Sequence, residues 1–253
     1  MKSPGRCELI FLGTNGWYDS ATGSTICTML RMPQAVIFLD AGFGLAKAAR
    51  LIDPRKPAYI FLSHMHLDHS VGLHALAMLP FRAGVTLVAP PALVHDVKRF
   101  MSQPLTMPIK RIPFGVTIKA APLRLRIPGG AVVSRELVHT SPCYGYRFEF
   151  KNATVAYCTD AGICDNAALL GRGADVLITE CALRSGQQDD GWPHLNPEAA
   201  ARLAQQAGAR KLVLTHFDAY NYQTLAQRRS ARMSARRIFP NVVAAVDGLK
   251  IIV

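Results

Sequence analysis

Several things are scarce in this 253-residue chain, and each scarcity excludes a class of protein. Half of the residues are hydrophobic, yet no run of 18 or more apolar residues occurs, so no membrane-spanning helix is encoded. The six cysteines (Cys7, Cys27, Cys143, Cys158, Cys164, Cys181) are scattered, without a Cys-x-x-Cys pair. That argues against a structural zinc knuckle and offers no disulfide framework. Small thiols in a reducing compartment are the plain reading. Acidic residues are few, 17 against 29 Lys and Arg, for a formal net charge of +12. Such a field attracts anions, phosphates and nucleic acid included, and says nothing about fold. No repeat of 20 to 50 residues is visible and no linker divides the chain, so a single domain over 1–253 is expected, long enough to bury a substantial core. Met1 to Arg6 lack the apolar stretch of a secretory signal and lead at once into strand-like Glu8 to Leu12, so the expectation is a cytoplasmic protein.

What the chain does have is concentrated between residues 58 and 69. The apolar run Ala58 to Leu62 reads as a buried strand. It runs directly into His64, His66, Asp68 and His69. Alternate residues of an extended segment share a face, so His64 and His66 can point the same way from the strand's end. Four metal-capable side chains within six positions form a metal-ligand pattern, the bland alternative being a solvated polar turn. Imidazole with carboxylate suits zinc, manganese or iron without any thiolate.

The remaining segments alternate strand and helix. Glu8 to Leu12, Thr25 to Arg31, Ala35 to Leu39 and Val85 to Ala89 read as strands, with Leu45 to Ile52, Val71 to Leu79 and Pro91 to Met101 helical. Residues 102–130, rich in proline, read as irregular short strands and turns. Ala131 to His139 reads as a strand, and Tyr144 to Phe150 with Ala153 to Cys158 as a hairpin around Lys151-Asn152. Asp175 to Thr179, Lys211 to Thr215 and Val242 to Val246 complete the strands. Asn196 as N-cap, Pro197 at the first position and Gly208 at the end bracket a helix over Pro197 to Ala207. Gln223 to Arg237 reads as a helix crowded with Arg228, Arg229, Arg232, Arg236 and Arg237. A solvated face and a phosphate-attracting surface both fit it. Composition and order give an α/β fold whose sheet faces must be covered. His139, Asp160 and His216 each leave an apolar strand, and each taken singly fits a structural residue. Asp40, before a glycine turn, either orients a metal-binding histidine or caps the turn.

The run His64-x-His66-x-Asp68-His69 resembles the signature of the metallo-β-lactamase superfamily of binuclear metallohydrolases. The resemblance implies a four-layer αββα sandwich and two divalent metal ions, zinc first, with manganese and iron as alternatives. By the same resemblance His64, His66 and His139 hold one ion, Asp68, His69 and His216 hold the other, and Asp160 bridges them. A close pair of divalent ions activates water and stabilises both attacking and leaving oxygens.

Outside the ligands the chain is most similar to the tRNase Z branch, which also includes small phosphodiesterases. Leu12-Gly13-Thr14 ends the first strand, and Ser141 to Arg147 is similar to that branch's Pro-x-x-Gly-Tyr-Arg run. Leu177 to Ala182 lies where the branch carries His-Glu-Ala-Thr, with Thr179 in place of the histidine and Glu180 retained. Trp192 to Asn196 lies at the Gly-His-Ser-Thr position, which makes His194 the candidate general acid, oriented by Glu180. Without the resemblance His194 would read as a surface histidine before a helix. Asp68 helps orient the nucleophile, and Arg147 and Tyr144 are candidate substrate contacts, structural packing being the alternative for Arg147. Members of the branch are often homodimers. They also carry a tRNA-gripping arm between the His139-type and Asp160-type ligands, where this chain has only twenty residues. The expectation is therefore a hydrolase of a small or cyclic phosphodiester, with tRNA 3′ processing without an arm as the alternative. Acyl hydrolysis is disfavoured by the His194 and Pro142 to Arg147 features. Oxygen chemistry is disfavoured because its branch carries Glu at the position of His66. A vestigial nucleic-acid-binding module is disfavoured because all seven ligand positions are filled.

Overall fold

Apolar alternation on strands demands two covered faces, and the structure meets that demand with two seven-stranded sheets packed face to face. The computed structural model describes residues 7–189 and 191–253; the expectation drawn from Met1 to Arg6 lies outside them. In chain order the first strands are β1 (Glu8–Gly13), β2 (Asn15–Gly16), β3 (Cys27–Arg31), β4 (Val36–Leu39), β5 (Ala58–Phe61), β6 (Val85–Ala89) and β7 (Val116–Ala120). Then come β8 (Arg124–Ile127), β9 (Gly130–Leu137), β10 (Cys143–Phe150), β11 (Thr154–Cys158) and β12 (Val176–Glu180). The last are β13 (Leu212–Thr215), β14 (Phe217–Asp218), β15 (Val242–Ala244) and β16 (Lys250–Ile252). One sheet runs β16-β1-β3-β4-β5-β6-β7 and the other β15-β13-β12-β11-β10-β9-β8, with β14 and β2 forming a short clip between the halves.

The period of two sorts each strand's side chains between a shared central core and an outer one. Leu9, Phe11, Phe61 and Val88 from the first sheet meet Tyr146, Phe148, Tyr157 and Ile178 from the second in the centre. The outer face of the first sheet, with Ile10, Phe38 and Ile60, is covered by two 3₁₀ segments, Phe43–Arg50 and Val71–Met78, and by the α-helix Val94–Phe100. The outer face of the second, with Leu177 and Leu214, is covered by helices Asp165–Gly171, Pro197–Ala207 and Leu225–Arg236. This is the expected αββα order of layers. No helix among the described residues is long and apolar enough to cross a membrane.

Local signals placed the elements well where caps were explicit. Asn196 Oδ1 accepts from the Ala199 amide at 2.8 Å, and Gly208 takes a left-handed φ of 61°, so the helix runs over the expected Pro197–Ala207. The segment after the histidine motif departs from expectation. Only Leu67–Ser70 is α-helical, and Val71–Met78 tightens to 3₁₀. The tightening follows from crowding: a Cβ on Gly72 would lie 2.1 Å from the Gly42 carbonyl oxygen, and the Gly72 amide donates to Ala41 O at 2.7 Å. The strand expected to reach His139 stops at Leu137, and β16 and the β2–β14 clip escaped the sequence reading because each is only two or three residues long.

The arginine-rich helix is divided in purpose. Arg229, Arg236 and Arg237 are exposed, but Arg228 is only 1% exposed and is structural. Its guanidinium donates to Thr14 Oγ1 at 2.8 Å, to Thr22 Oγ1 at 2.9 Å and to Asn15 Oδ1, and it lies 4.7 Å from the Phe217 ring centre. Arg232 Nε donates to the Val242 carbonyl at 2.9 Å. Arg228 thus ties the helix to the loop after β1 and, being buried, offers nothing to a phosphate, while Arg232 ties the helix to β15. Truncating Arg228 to Ala leaves several buried acceptors without a donor. We expect Arg228→Ala to lower the unfolding free energy by about 3 kcal/mol, read from the urea midpoint. A loss below about 0.5 kcal/mol would show these bonds to be dispensable.

Candidate metal centre

Parallel strands end on a common edge, and the polar cluster is assembled there. β4 and β5 are parallel in one sheet, as are β11, β12 and β13 in the other. Asp40 follows β4, His64 follows β5, His139 follows β9, Asp160 follows β11, Glu180 ends β12 and His216 follows β13. His66, Asp68 and His69 come from the turn into the short helix Leu67–Ser70.

Asp160 is the hub. Its Oδ2 lies 3.1 Å from His64 Nε2, 3.3 Å from His69 Nε2 and 3.8 Å from His139 Nε2. Its Oδ1 lies 3.3 Å from His216 Nδ1 and 3.4 Å from His194 Nδ1. His64, His66, His139 and Asp160 converge as one group, and Asp68, His69 and His216 as a second. In the second, His69 Nε2 stands 3.0 Å from His216 Nε2, and Asp68 Oδ2 stands 3.2 Å from His216 Nε2. All seven residues that the resemblance singled out therefore meet in one place, with Asp160 in contact with both groups.

The outer side of the cluster orients the inner side. His69 Nδ1 is 2.8 Å from Asp40 Oδ2, and a carboxylate only accepts, so Nδ1 carries the proton and Nε2 turns inward. Ser63 Oγ donates to Asp40, which leaves it an acceptor for His64 Nδ1 at 3.0 Å. Tyr157 donates to the same Asp40 carboxylate at 2.6 Å. Asp40 thus orients a histidine of the cluster. Backbone geometry concentrates here as well. Among the described residues, the non-glycine positions with positive φ are Trp17, Asp40, Asp160 and His216, and all belong to this site. Gly16 makes room behind His216, since a Cβ there would lie 2.6 Å from its Cε1.

The donor set fits divalent metal. His64 donates from Nδ1 to Ser63, so in the neutral ring Nε2 presents a lone pair to the Asp160 carboxylate, a repulsive pairing that a shared cation relieves. Burial, with His69 beside it, holds the His64 imidazole below its usual pKa. Burial likewise lowers His139, to about 3. His64 Nε2, His139 Nδ1, Asp160 Oδ1 and His216 Nδ1 are buried without a hydrogen bond among the described residues. His69 shows the same demand for positive charge. Burial opposes its protonation, yet Asp40, Asp68 and Asp160 together push it well above the ordinary imidazole value. Nitrogen and carboxylate oxygen donors without thiolate suit zinc, manganese or iron.

A third grouping adjoins the second. Both oxygens of Glu180 lie close to His194 Nδ1, at 3.0 and 2.9 Å, and Glu180 Oε1 also accepts from the Ala161 amide at 2.6 Å. Burial would lower the His194 pKa, but Glu180 and then Asp160 carry it up to about 9. His194 Nε2 is left without a partner among the described residues, and the ring lines a pocket of about 310 Å³ over the cluster. Thr179, standing where the branch carries a histidine, is buried, and its hydroxyl has no hydrogen-bond partner among the described residues.

The two expected substrate contacts are placed away from the cluster. Arg147 faces the helical layer, because alternate β10 residues share a face and Cys143 on that face packs among the helices. Its Nη1 donates to the Leu170 and Arg172 carbonyls at 2.8 and 2.7 Å, capping the end of helix Asp165–Gly171. Tyr144 turns inward against the central core and borders a separate hollow beside Ser134 and Asn166. Neither lines the pocket over the cluster. Trp17 and Leu67 do line it and were missed, as was Trp192, which was quoted only to place the loop before His194. An apolar residue in a turn such as Gly16-Trp17 was the one available signal. Because Asp40 supports two cluster elements, Asp40→Ala is expected to weaken divalent-metal affinity by roughly 10–100-fold, read by competition with a chromophoric chelator. Unchanged affinity would remove Asp40 from any such role.

Comparison with known proteins agrees with the geometry. Residues 36–217 match the family model described as the beta-lactamase superfamily domain. A curated relative, ribonuclease Z of Synechococcus sp. (strain WH7803), is 28% identical over 311 aligned positions, covering 96% of this chain and 95% of the relative. The solved metallo-β-lactamase fold protein YhfI from Bacillus subtilis superposes with a TM-score of 0.83 at 20% identity, over 98% of this chain and 100% of that one. A diphosphatase of the PhnP family gives a TM-score of 0.72 at 20% identity, over 97% of both chains. With the family model spanning both the histidine motif and His216, the chain belongs to the metallo-β-lactamase superfamily of hydrolases.

Proposed function

We propose that this hydrolase cleaves a small or cyclic phosphodiester with the help of two divalent ions, zinc being the first to test. His64, His66 and His139 would hold one ion, Asp68, His69 and His216 the other, with Asp160 between them. Bound there, the ions would supply Lewis-acid polarisation of phosphoryl oxygens and activation of water. The single observation that carries the reading is His194: Glu180 holds Nδ1, and Nε2 is left without a partner among the described residues, on a ring that lines the pocket. Nδ1 donates to Glu180, and the carboxylates of Glu180 and Asp160 favour the charged ring, in which Nε2 also bears a proton available to whatever departs from phosphorus. Water adds to phosphorus, the bond to the leaving oxygen breaks, and the His194 proton goes to that oxygen. Asp68, which lines the pocket, accepts from the incoming water and orients it.

Two observations support a small substrate. The segment between His139 and Asp160 is taken up by β10, the turn at Lys151-Asn152 and β11, so no arm projects from it. The alignment to ribonuclease Z runs over 311 positions, more than the 253 residues of this chain, so the relative carries segments absent here. A second reading, tRNA 3′ processing, draws on that relative's name and on the exposed Arg229, Arg236 and Arg237.

Metal-loaded protein incubated with a precursor tRNA and, in parallel, with a cyclic phosphodiester separates the two readings, with His66→Ala as control. The expected outcome is cleavage of the cyclic diester alone, abolished in the control. Accurate cleavage of the precursor would establish the second reading instead. His194→Ala should lower kcat on the cleaved diester by about 10²–10⁴-fold with metal content intact; an unchanged kcat would take proton donation away from His194.

A further inference from the structure

Both tryptophans of the chain, Trp17 and Trp192, stand at the mouth of the same pocket. Their rings are stacked, 6.0 Å between centres and 21° between planes. Trp192 in turn lies nearly parallel to the His66 ring, at 6.2 Å and 7°. Three near-parallel rings thus step from the metal-ligand cluster out to solvent. Trp17, the outermost, is 59% exposed and sits at a φ of 67°, where a bulky side chain is strained. The strain is held in place by its own amide, which donates to Asp68 Oδ2 at 2.8 Å, and by the anchoring of Asn15, two residues earlier, through Arg228. Core packing does not explain a strained aromatic residue that faces water.

Charge around the rings narrows what could lie on them. The tryptophan pair divides the pocket over the cluster from a second hollow of about 270 Å³, which both rings and His194 also line. Gln187, Asp189, Asp218 and Asn221 add hydrogen-bonding groups on that far side. Neither hollow is lined by Lys or Arg among the described residues. Despite the net charge of +12, a second phosphate beside the reacting one would meet carboxylates there rather than cations. A polyphosphate or an extended nucleic-acid backbone is disfavoured. A ligand with one phosphodiester charge and one flat polar ring matches both hollows.

We propose that Trp17 and Trp192 form a stacking platform for a nucleobase, so that the substrate class is a nucleoside carrying a single, cyclic phosphodiester. This rests on the phosphodiesterase reading and adds a specificity determinant to it. The base lies on the exposed tryptophan face with its polar edge toward the amide-lined hollow, and the diester reaches the cluster. Stacking of a base on an aromatic side chain contributes on the order of tenfold to a hundredfold in binding.

Two readouts test it, and only one requires turnover. Both fluorophores lie in this site, so titration with cyclic AMP should quench tryptophan emission saturably. Methyl riboside cyclic phosphate, which has the diester without the base, should not. In Trp17→Ala and Trp192→Ala the ratio of kcat/KM for cyclic AMP over the base-free diester should fall on the order of tenfold or more. Trp17→Phe should restore most of it. No quenching by cyclic AMP, or an unchanged ratio in both alanine variants, overturns the platform. If both diesters are hydrolysed without discrimination and without quenching, the phosphodiesterase reading stands and the platform falls. If cyclic AMP quenches but neither diester is cleaved, the platform stands and the phosphodiesterase reading falls.

Discussion

Everything in this structure turns on one buried carboxylate. Asp160 stands in contact with His64, His69, His139, His194 and His216, and burial opposes its charge while His216, His69 and His64 keep its pKa far below the usual range. So many ionisable groups can share a water-poor space only if each charge is matched. The protein arranges this in layers. Asp40, Ser63 and Tyr157 orient the imidazoles from behind, and the lone pairs that remain all converge on a space suited to divalent cations.

The sandwich supplies the rigidity that such crowding needs. Residues at the ends of parallel strands are fixed by sheet hydrogen bonds on one side and packed cores on the other. Asp40, Asp160 and His216 all reverse the chain at positive φ as they leave their strands, so the strain of the turn is spent on aiming a side chain. Small residues allow the approach: Gly16 admits the His216 ring, and Gly42 and Gly72 let two loop backbones touch. The buried Arg228 ties the loop carrying Trp17 to the last helix, so the outer wall of the pocket depends on a cation that is not itself part of the cluster.

The positive charge of the chain and the polarity of its pocket point in different directions. Basic residues sit on outer surfaces, on the exposed side of helix Leu225–Arg236 for example, whereas the pocket walls are aromatic and its far rim carries carboxylates. Net charge therefore concentrates anions near the molecule, and the local walls choose among them. This division is invisible to composition.

Local sequence was enough for most of the longer strands, the well-capped helix Pro197–Ala207 and the order of the ligand motifs, because these depend on neighbours in the chain: alternation, caps and spacing. His64, His66, Asp68 and His69 were legible as a unit for that reason, and His139, Asp160 and His216 only through resemblance, since each leaves its strand alone. Other features were decided by contacts between distant segments. Arg147 and Tyr144 alternate on β10, and only the packing of helix Asp165–Gly171 on one face and the opposite sheet on the other sent both away from the pocket. Arg228 looked like one charge in a basic run until the fold buried it against Asn15 and Phe217. Trp17 and Trp192 are 175 positions apart in the chain, and only the closing of the two sheets on one edge stacks them over the site. Sequence encodes local periodicity directly, but which side chains share a cavity depends on how whole layers pack.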